Sequence, residues 1–462
     1  MYRVCLLITV VCSWGMSSAP VCRAGEFTVS TFQVDVTPPI GHPTIASLCG
    51  PAKEVLAPIW IKGMVLQGTD EPVVVAAVDW CEIRNKSYDL WRDRIAEAAG
   101  TTRERVMLTS VHQHDTPLSD NEAQEVLTRF GYEGLMIDLN FQEECLDNIV
   151  AEVKSSLDRA VPVTHYGLGK AKVVDVASNR RVKDSSGKYS YARGSFSANE
   201  TIRNQPVGLI DPFLKTISFW NGEMPVVAVS TYSVHPMSYY CRGEVSPDFV
   251  GMARQQRQEA VPGVFQIYCS GCSGDTTVSK YNAGDYDSRV ALANRLEQGM
   301  QDAWEETKTY PLDNLEFKAH QFELSPRDAA GYSISEFEAK LADPQTSLSQ
   351  RIDAALGISW LNRVSREEPI DLPVLDFGNA KWFVLPAEAF VGYQLEAQEL
   401  APDTFLMIPG YGECAPGYLP TREAIAERFD DHHHWTQVSK QAHDEMTAAL
   451  KLALGLTTSD QD

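Results

Sequence analysis

The chain has no apolar run of 18 residues, the length a helix needs to cross a bilayer, so no transmembrane segment is expected among its 462 residues. Cations are scarce: 40 Lys and Arg face 62 Asp and Glu, a formal charge of −22, with no basic block. Binding through phosphates relies on clustered cations, so nucleic acid is not an expected partner, and an anionic membrane surface would repel the chain. Cysteine is sparse as well, ten in all, too few for a disulfide scaffold. The single C-x-x-C, Cys269 to Cys272, has no second pair to complete a structural zinc site, which leaves a disulfide or two buried thiols. No internal repeat or low-complexity linker interrupts the pattern between residues 27 and 456, so one large domain is expected.

Residues 1–24 differ from the rest. Arg3 precedes an apolar stretch from Val4 to Val11, and small residues lead to Ala24, the pattern of a secretory signal peptide cut near that residue. The stretch is too short to serve as a membrane anchor. The expectation is a secreted or periplasmic protein whose mature chain is residues 25–462. Loss of the leader removes Arg3, Arg23, Cys5, Cys12 and Cys22, which takes the charge to −24 and leaves seven cysteines. An odd number keeps at least one thiol out of intramolecular bridges.

What is present is an alternation of two apolar periods. Residues 73–78 and 106–111 read as strands flanking a helix over 87–99, a βαβ unit. A helix is expected over 138–160, and strands 213–220 and 225–234 flank Asn221-Gly222, a strong hairpin signal. A helix over 248–260 stops at Pro262-Gly263 before a strand at 264–268. Further on come helices over 288–306 and 347–364, and a second hairpin of 372–377 and 381–385. A helix over 387–400, a strand at 404–408 and a helix over 437–454 follow. The expected fold class is α/β, with mixed β-sheets covered by α-helices in a single large catalytic domain.

Residues suited to chemistry recur just past strand ends, the rim where α/β proteins build their sites. The strand 106–111 delivers His112, His114 and Asp115; the strand 225–234 delivers His235; the strand 264–268 delivers Gly274 and Asp275; and 381–385 delivers Glu388. In extended geometry residues two apart share a face, so His112 and His114 are expected to look into one cavity. Imidazoles suit a metal ligand and a proton carrier. With His235 and Glu388 the set becomes two His and one carboxylate, the composition of catalytic zinc sites that keep a position open for water.

The run Thr109-Ser110-Val111-His112-Gln113-His114 resembles the T-H-T-H-S-G-P-G segment of neutral (non-lysosomal) ceramidases, whose first histidine holds zinc and whose second serves the reacting centre. Ser233-Val234-His235-Pro236-Met237-Ser238 is similar to their second zinc-histidine segment, A-V-H-G-T-S-M, and Leu385-Pro386-Ala387-Glu388 to the P-G-E whose glutamate is a ligand. Asn179-Arg180 resembles the N-R that gives an active-site arginine, and Gly274-Asp275-Thr276-Thr277 resembles G-D-V-S-P, which carries a serine nucleophile. The five segments keep the family's order. The resemblance covers the family's catalytic domain, without a counterpart of its C-terminal immunoglobulin-like domain. Two departures stand out: Thr277 replaces the serine, and Asp115-Thr116-Pro117 replaces glycines. The stretch taken to carry a zinc-bound tyrosine, N-x-Y-x-x-Y-V-T-T, corresponds to residues 413–421 with Ala415 at the first tyrosine's place, so the fourth ligand lies among Tyr418, Glu413, Asp115 and water.

The resemblance implies Zn²⁺ on His112, His235 and Glu388, with Tyr418 carried as the fourth ligand. It implies that His114 moves a proton, Arg180 stabilises an oxyanion, Asp275 orients a histidine or the water, and Thr277 hydrogen-bonds the substrate. The implied reaction is hydrolysis of an amide in a small-molecule or lipid-like substrate. The alternatives are another small or carbohydrate-linked amide or ester, or a catalytically silent ligand-binding relative. The sequence leaves the oligomeric state open. Plainer readings stand beside these: His114 as a core histidine, Glu388 as the first-turn acid of a helix, Asp275 as part of a turn, Arg180 as a solvated loop residue. The tract Asp430-Asp431-His432-His433-His434 is discounted, because consecutive residues of a helix or strand cannot all face one ion.

Overall fold

The side chains of Val73–Val78, buried on both faces of the strand, decide the layering. In the computed structural model, which describes residues 27–183, 186–429 and 434–456, Val74, Ala76 and Val78 pack in one apolar cluster with Trp91, Ile95 and Ile149 of helices Asn85–Ala99 and Leu139–Leu157. Val73, Val75 and Ala77 point the other way, into a cluster with Ile217, Val229 and Ile267 of a second sheet. A strand with both faces buried has no polar side, which is why it reads as an unbroken apolar run.

The first sheet has the order Val106–Ser110, Val73–Val78, Trp60–Gln67, Phe27–Asp35, Val161–Val163. Val106–Ser110 runs parallel to Val73–Val78 across the helix Asn85–Ala99, the expected βαβ unit. The second sheet has the order Phe265–Ser270, Met224–Tyr232, Phe213–Asn221, His165–Lys172, Lys308–Pro311. Its hairpin turns at Gly222, whose φ of 61° suits the first position of a two-residue loop. Helix Tyr286–Glu305 closes on its outer face, where a Cβ on Gly169 would meet the Ala303 carbonyl at 2.1 Å. The result is two sheets packed face to face with helices outside both. A third sheet, Glu316–Phe322, Ile370–Asp376, Ala380–Phe383, Phe405–Met407, lies beside them. The α/β class with mixed, helix-covered sheets is as expected.

Two element boundaries differ from expectation for a physical reason. Residues 387–400 do not form one helix: Glu388–Ala389 is a strand paired parallel with Tyr418–Leu419, and the helix is Val391–Leu400. Glu388 is therefore no first-turn acid. The last helix is Ala442–Leu454, because residues 434–438 are held in bridges and turns against other segments. Cys49 and Cys241 form a disulfide, while Cys81, Cys145, Cys269, Cys272 and Cys414 are buried free thiols, so the C-x-x-C is not a bridge. No helix among the described residues is long and apolar enough to cross a membrane. The leader expected at 1–24, and residues 430–433 of the Asp/His tract, lie outside the described residues.

Candidate metal centre

The three sheets turn the carboxyl ends of their parallel edge strands toward one point and are tied together there by main-chain contacts. The Ser110 amide donates to the Tyr411 carbonyl at 2.9 Å, the Gly410 amide to the Ser270 carbonyl at 2.9 Å, and the Ser270 hydroxyl to the Val111 carbonyl at 2.8 Å. Three residues with left-handed backbone cluster here: His112 (φ 72°), Ala387 (φ 67°) and Tyr411 (φ 59°). Such conformations are disfavoured for side chains bearing Cβ and gather where a site is held in shape by its surroundings. His112 and His114 both turn their Nε2 atoms toward His235, but not through strand alternation: the strand ends at Ser110 and the turn at His112 re-aims its ring.

Four side chains converge. His112 Nε2 lies 3.1 Å from His235 Nε2 and 3.2 Å from Glu388 Oε2, and His114 Nε2 lies 3.3 Å from His235 Nε2. All four residues are buried; His114, at 8% exposure, is the one nearest solvent. The Cys81 carbonyl accepts from His112 Nδ1 at 2.8 Å and the Ser273 carbonyl lies 3.3 Å from His235 Nδ1, so each Nδ1 carries its hydrogen outward and each Nε2 is turned to the cluster. Tetrahedral zinc with Zn–N bonds of about 2.05 Å spaces its ligand atoms about 3.3 Å apart, and the observed separations fit that edge. Two overlapping groups of candidate ligands result, His112–His114–His235 and Glu82–His112–Glu388, and the chemistry of both fits a divalent transition metal.

The electrostatics agree. Burial works against protonating His112, but Cys81 and Glu388 hold its pKa well above the usual imidazole value. Burial and the charge on His112 push His114 down to about 3, and burial with Arg180 drives His235 well below its usual value. His114 and His235 are thus held neutral, the form in which an imidazole can ligate a metal.

The remaining expected residues are placed as follows. Arg180, half-buried, donates from Nη1 to the Tyr418 hydroxyl at 2.7 Å. Tyr418 is the ladder partner of Glu388 and shares its face. Asp275 is not turned to a histidine: it accepts from the Val391 amide at 2.8 Å and from Asn179 Nδ2 at 2.9 Å, while its carbonyl takes the Arg180 amide at 2.7 Å. It positions the arginine. The Thr277 hydroxyl donates to the Gly194 carbonyl and accepts from the Ser279 amide, so it is not set as a nucleophile. Of the other fourth-ligand candidates, Glu413 accepts from the amides of Asn85 and Ala415, and Asp115 from that of Cys241. His434 is exposed and pairs with Asp353 at 3.3 Å, not with the cluster.

Sequence reasoning missed Tyr411. Its ring stacks on His112 with centroids 4.4 Å apart, and its hydroxyl lies 2.7 Å from Ser273 Oγ and 3.4 Å from His235 Nδ1. It follows the strand Phe405–Met407, so the strand-end rule extended to that strand would have found it. Also missed was the support beneath the H-x-H: Arg254 grips buried Asp79 through both nitrogens, at 2.7 and 2.6 Å, and Asp79 takes the Gln113 amide at 3.1 Å.

Fold and site together define a helix-covered, mixed-sheet α/β protein with a buried His/Glu cluster at the meeting of strand ends from three sheets. The same fold is found in neutral ceramidase from Pseudomonas aeruginosa, with a TM-score of 0.66 and 15% identity over 94% of this chain and 75% of that one. A structure described as ceramidase complexed with C2 gives 0.65 and 15% over 95% of this chain and 77% of that one. At this identity the likeness is one of fold. No family model matches the chain, and no curated protein sequence does.

Proposed function

We propose that the protein is a zinc-dependent hydrolase of an amide bond in an N-acyl, ceramide-like substrate. The observation that carries this is the convergence of three imidazole Nε2 atoms and one carboxylate at 3.1–3.3 Å, on a fold shared with neutral ceramidase. His112, His235 and Glu388 would hold the metal, with Tyr418 beside Glu388 as the fourth ligand. Bound zinc supplies a Lewis acid for the carbonyl and lowers the pKa of a water toward ~7.

The chain's own groups do the rest. His114, neutral and nearest the solvent side of the cluster, takes a proton from the attacking water and passes it to the leaving nitrogen. Arg180 keeps its charge, and its Nε, buried with no partner among the described residues, is free to face a developing oxyanion. Asp275 and Asn179 hold the arginine in place. Thr277, spent on the backbone, supports a mechanism without a covalent acyl-enzyme. The leader pattern at 1–24 and the Cys49–Cys241 bridge support export to an oxidising compartment.

The test is metal analysis of the purified protein followed by a panel of N-acyl amides and esters. About one zinc per chain and amide turnover are expected, with His114→Ala retaining zinc and losing roughly 10²–10⁴ in kcat. A protein free of zinc at neutral pH overturns the proposal. Turnover untouched by His114→Ala removes the assigned proton carrier, and a preference for short polar amides or esters moves the substrate class to another hydrolase on this scaffold.

A further inference from the structure

The segment after His235 returns over the cluster. The Tyr240 ring, half-buried, lies 4.8 Å from that of His114 at a tilt of 56°. On one side the loop is fixed at Ser238, whose amide donates to Asp248 at 3.0 Å and whose carbonyl accepts from Asn282 at 2.7 Å. On the other side stands Cys241, exposed, with φ 58° and its amide on Asp115 Oδ1 at 2.9 Å. Cys241 is bonded to Cys49, 192 residues away.

The segment bearing Cys49 is itself under constraint. Ile45, Ala46 and Ser47 are left-handed in succession, at φ 40°, 54° and 63°. Three such residues in a row, one β-branched, persist only where surrounding ties over-determine them. The ties are the Ile45 amide on the Thr116 carbonyl at 2.8 Å, the Ser47 hydroxyl on the Leu135 carbonyl at 2.7 Å, and the bridge. Thr116 and Asp115 directly follow His114, so both halves of the bridge are anchored to the stretch that carries the outermost histidine.

We propose that Tyr240 is a substrate-contacting residue on the solvent side of the cluster, and that the Cys49–Cys241 bridge is the strap that holds it over His114. The substrate half of this rests on the proposed hydrolase; the strap half does not. The bridge lies at the surface, so a dithiol reductant reaches it: two thiols form on the protein and the reductant closes to its cyclic disulfide. Reduction then sets Tyr240 loose and opens His114.

The experiment uses the metal-free protein, oxidised and after dithiothreitol, alongside Cys49→Ser and Tyr240→Ala. Carbethoxylation of His114 by diethyl pyrocarbonate is followed by mass spectrometry. A rise of about tenfold in rate is expected on opening the bridge or removing the ring, the size of one lost aromatic contact, and Tyr240→Phe, which keeps the ring, restores slow reaction. An unchanged rate overturns the strap. Reduction of the intact protein covers the case in which Cys49→Ser does not fold. On the zinc-loaded enzyme the same changes raise KM about tenfold while kcat and zinc content hold. KM unchanged in Tyr240→Ala overturns the contact. A protein that holds no zinc and hydrolyses nothing overturns the proposed function and the substrate contact with it, while the acylation arm still decides the strap.

Discussion

At His112 three demands meet in one residue: a left-handed backbone, an Nδ1 bonded to the Cys81 carbonyl, and an Nε2 presented to His235 and Glu388. The backbone strain, on the order of 1 kcal/mol, is offset by ties on either side of the ring. Glu388 is placed by a different device. Its carbonyl comes so close to Gly274 that a Cβ there would sit 2.2 Å from the oxygen, and the Gly274 amide donates to the Ala389 carbonyl at 3.0 Å. Gly274 is thus required for close approach; its φ is not left-handed. Gly274→Ala must push the Glu388 strand away. The expected outcome is a loss of about 1–3 kcal/mol in urea unfolding, the usual cost of overpacking, and, under the proposed function, affinity for added zinc lower by at least tenfold. Stability and zinc affinity both equal to those of the wild type would show that Glu388 is not set by this contact.

Single elements explain why part of the site could be read from sequence and part could not. His112, His114, His235 and Glu388 each follow a strand whose apolar run is visible locally, so the strand-end rule reaches them without knowledge of the fold. The ladder of Glu388 with Tyr418 is invisible to any local pattern, because the pairing crosses from one segment to another far along the chain and overrides helical periodicity. The partner of Cys241 was unreadable for the same reason. The charge pair beneath the H-x-H belongs to this scale too. Arg254 on helix Asp248–Ala260 and Asp79 at the end of Val73–Val78 are both buried, and Asp79 also takes the Trp60 amide at 2.9 Å. Arg254→Met strands a buried carboxylate, which typically costs 3–5 kcal/mol, while Asp79→Asn with Arg254→Met recovers part of it. Urea titrations of the two single variants and the double variant check this, and strictly additive losses would mean the pair does not act as a unit.

The whole molecule carries a formal charge of −22, yet several acids lie deep inside, and their burial sets how stability follows pH. Burial pushes Glu413 up to about 7, with Arg363 pulling the other way; that guanidinium is shared with Asp89 at 2.9 Å and lies 3.3 Å from Glu413 Oε2. An unfolded glutamate titrates near 4.3, so between about 4.3 and 7 the folded chain holds a proton that the unfolded chain has lost. The contribution is therefore fully present below about 4.3 and is lost as pH rises through 7, by about 4 kcal/mol. His114 and His235 act in the opposite direction, because neutral buried imidazoles cost stability as pH falls below the ordinary histidine value. Glu413→Gln isolates the acid: its side-chain oxygen still accepts from the amides of Asn85 and Ala415, and nothing there titrates. Unfolding midpoints measured from pH 5 to 8 should fall for the wild type relative to the variant, with the gap widening toward pH 7 and constant above it. Parallel curves for the two proteins would place the Glu413 proton elsewhere and leave the alkaline loss to the surface charge that both share.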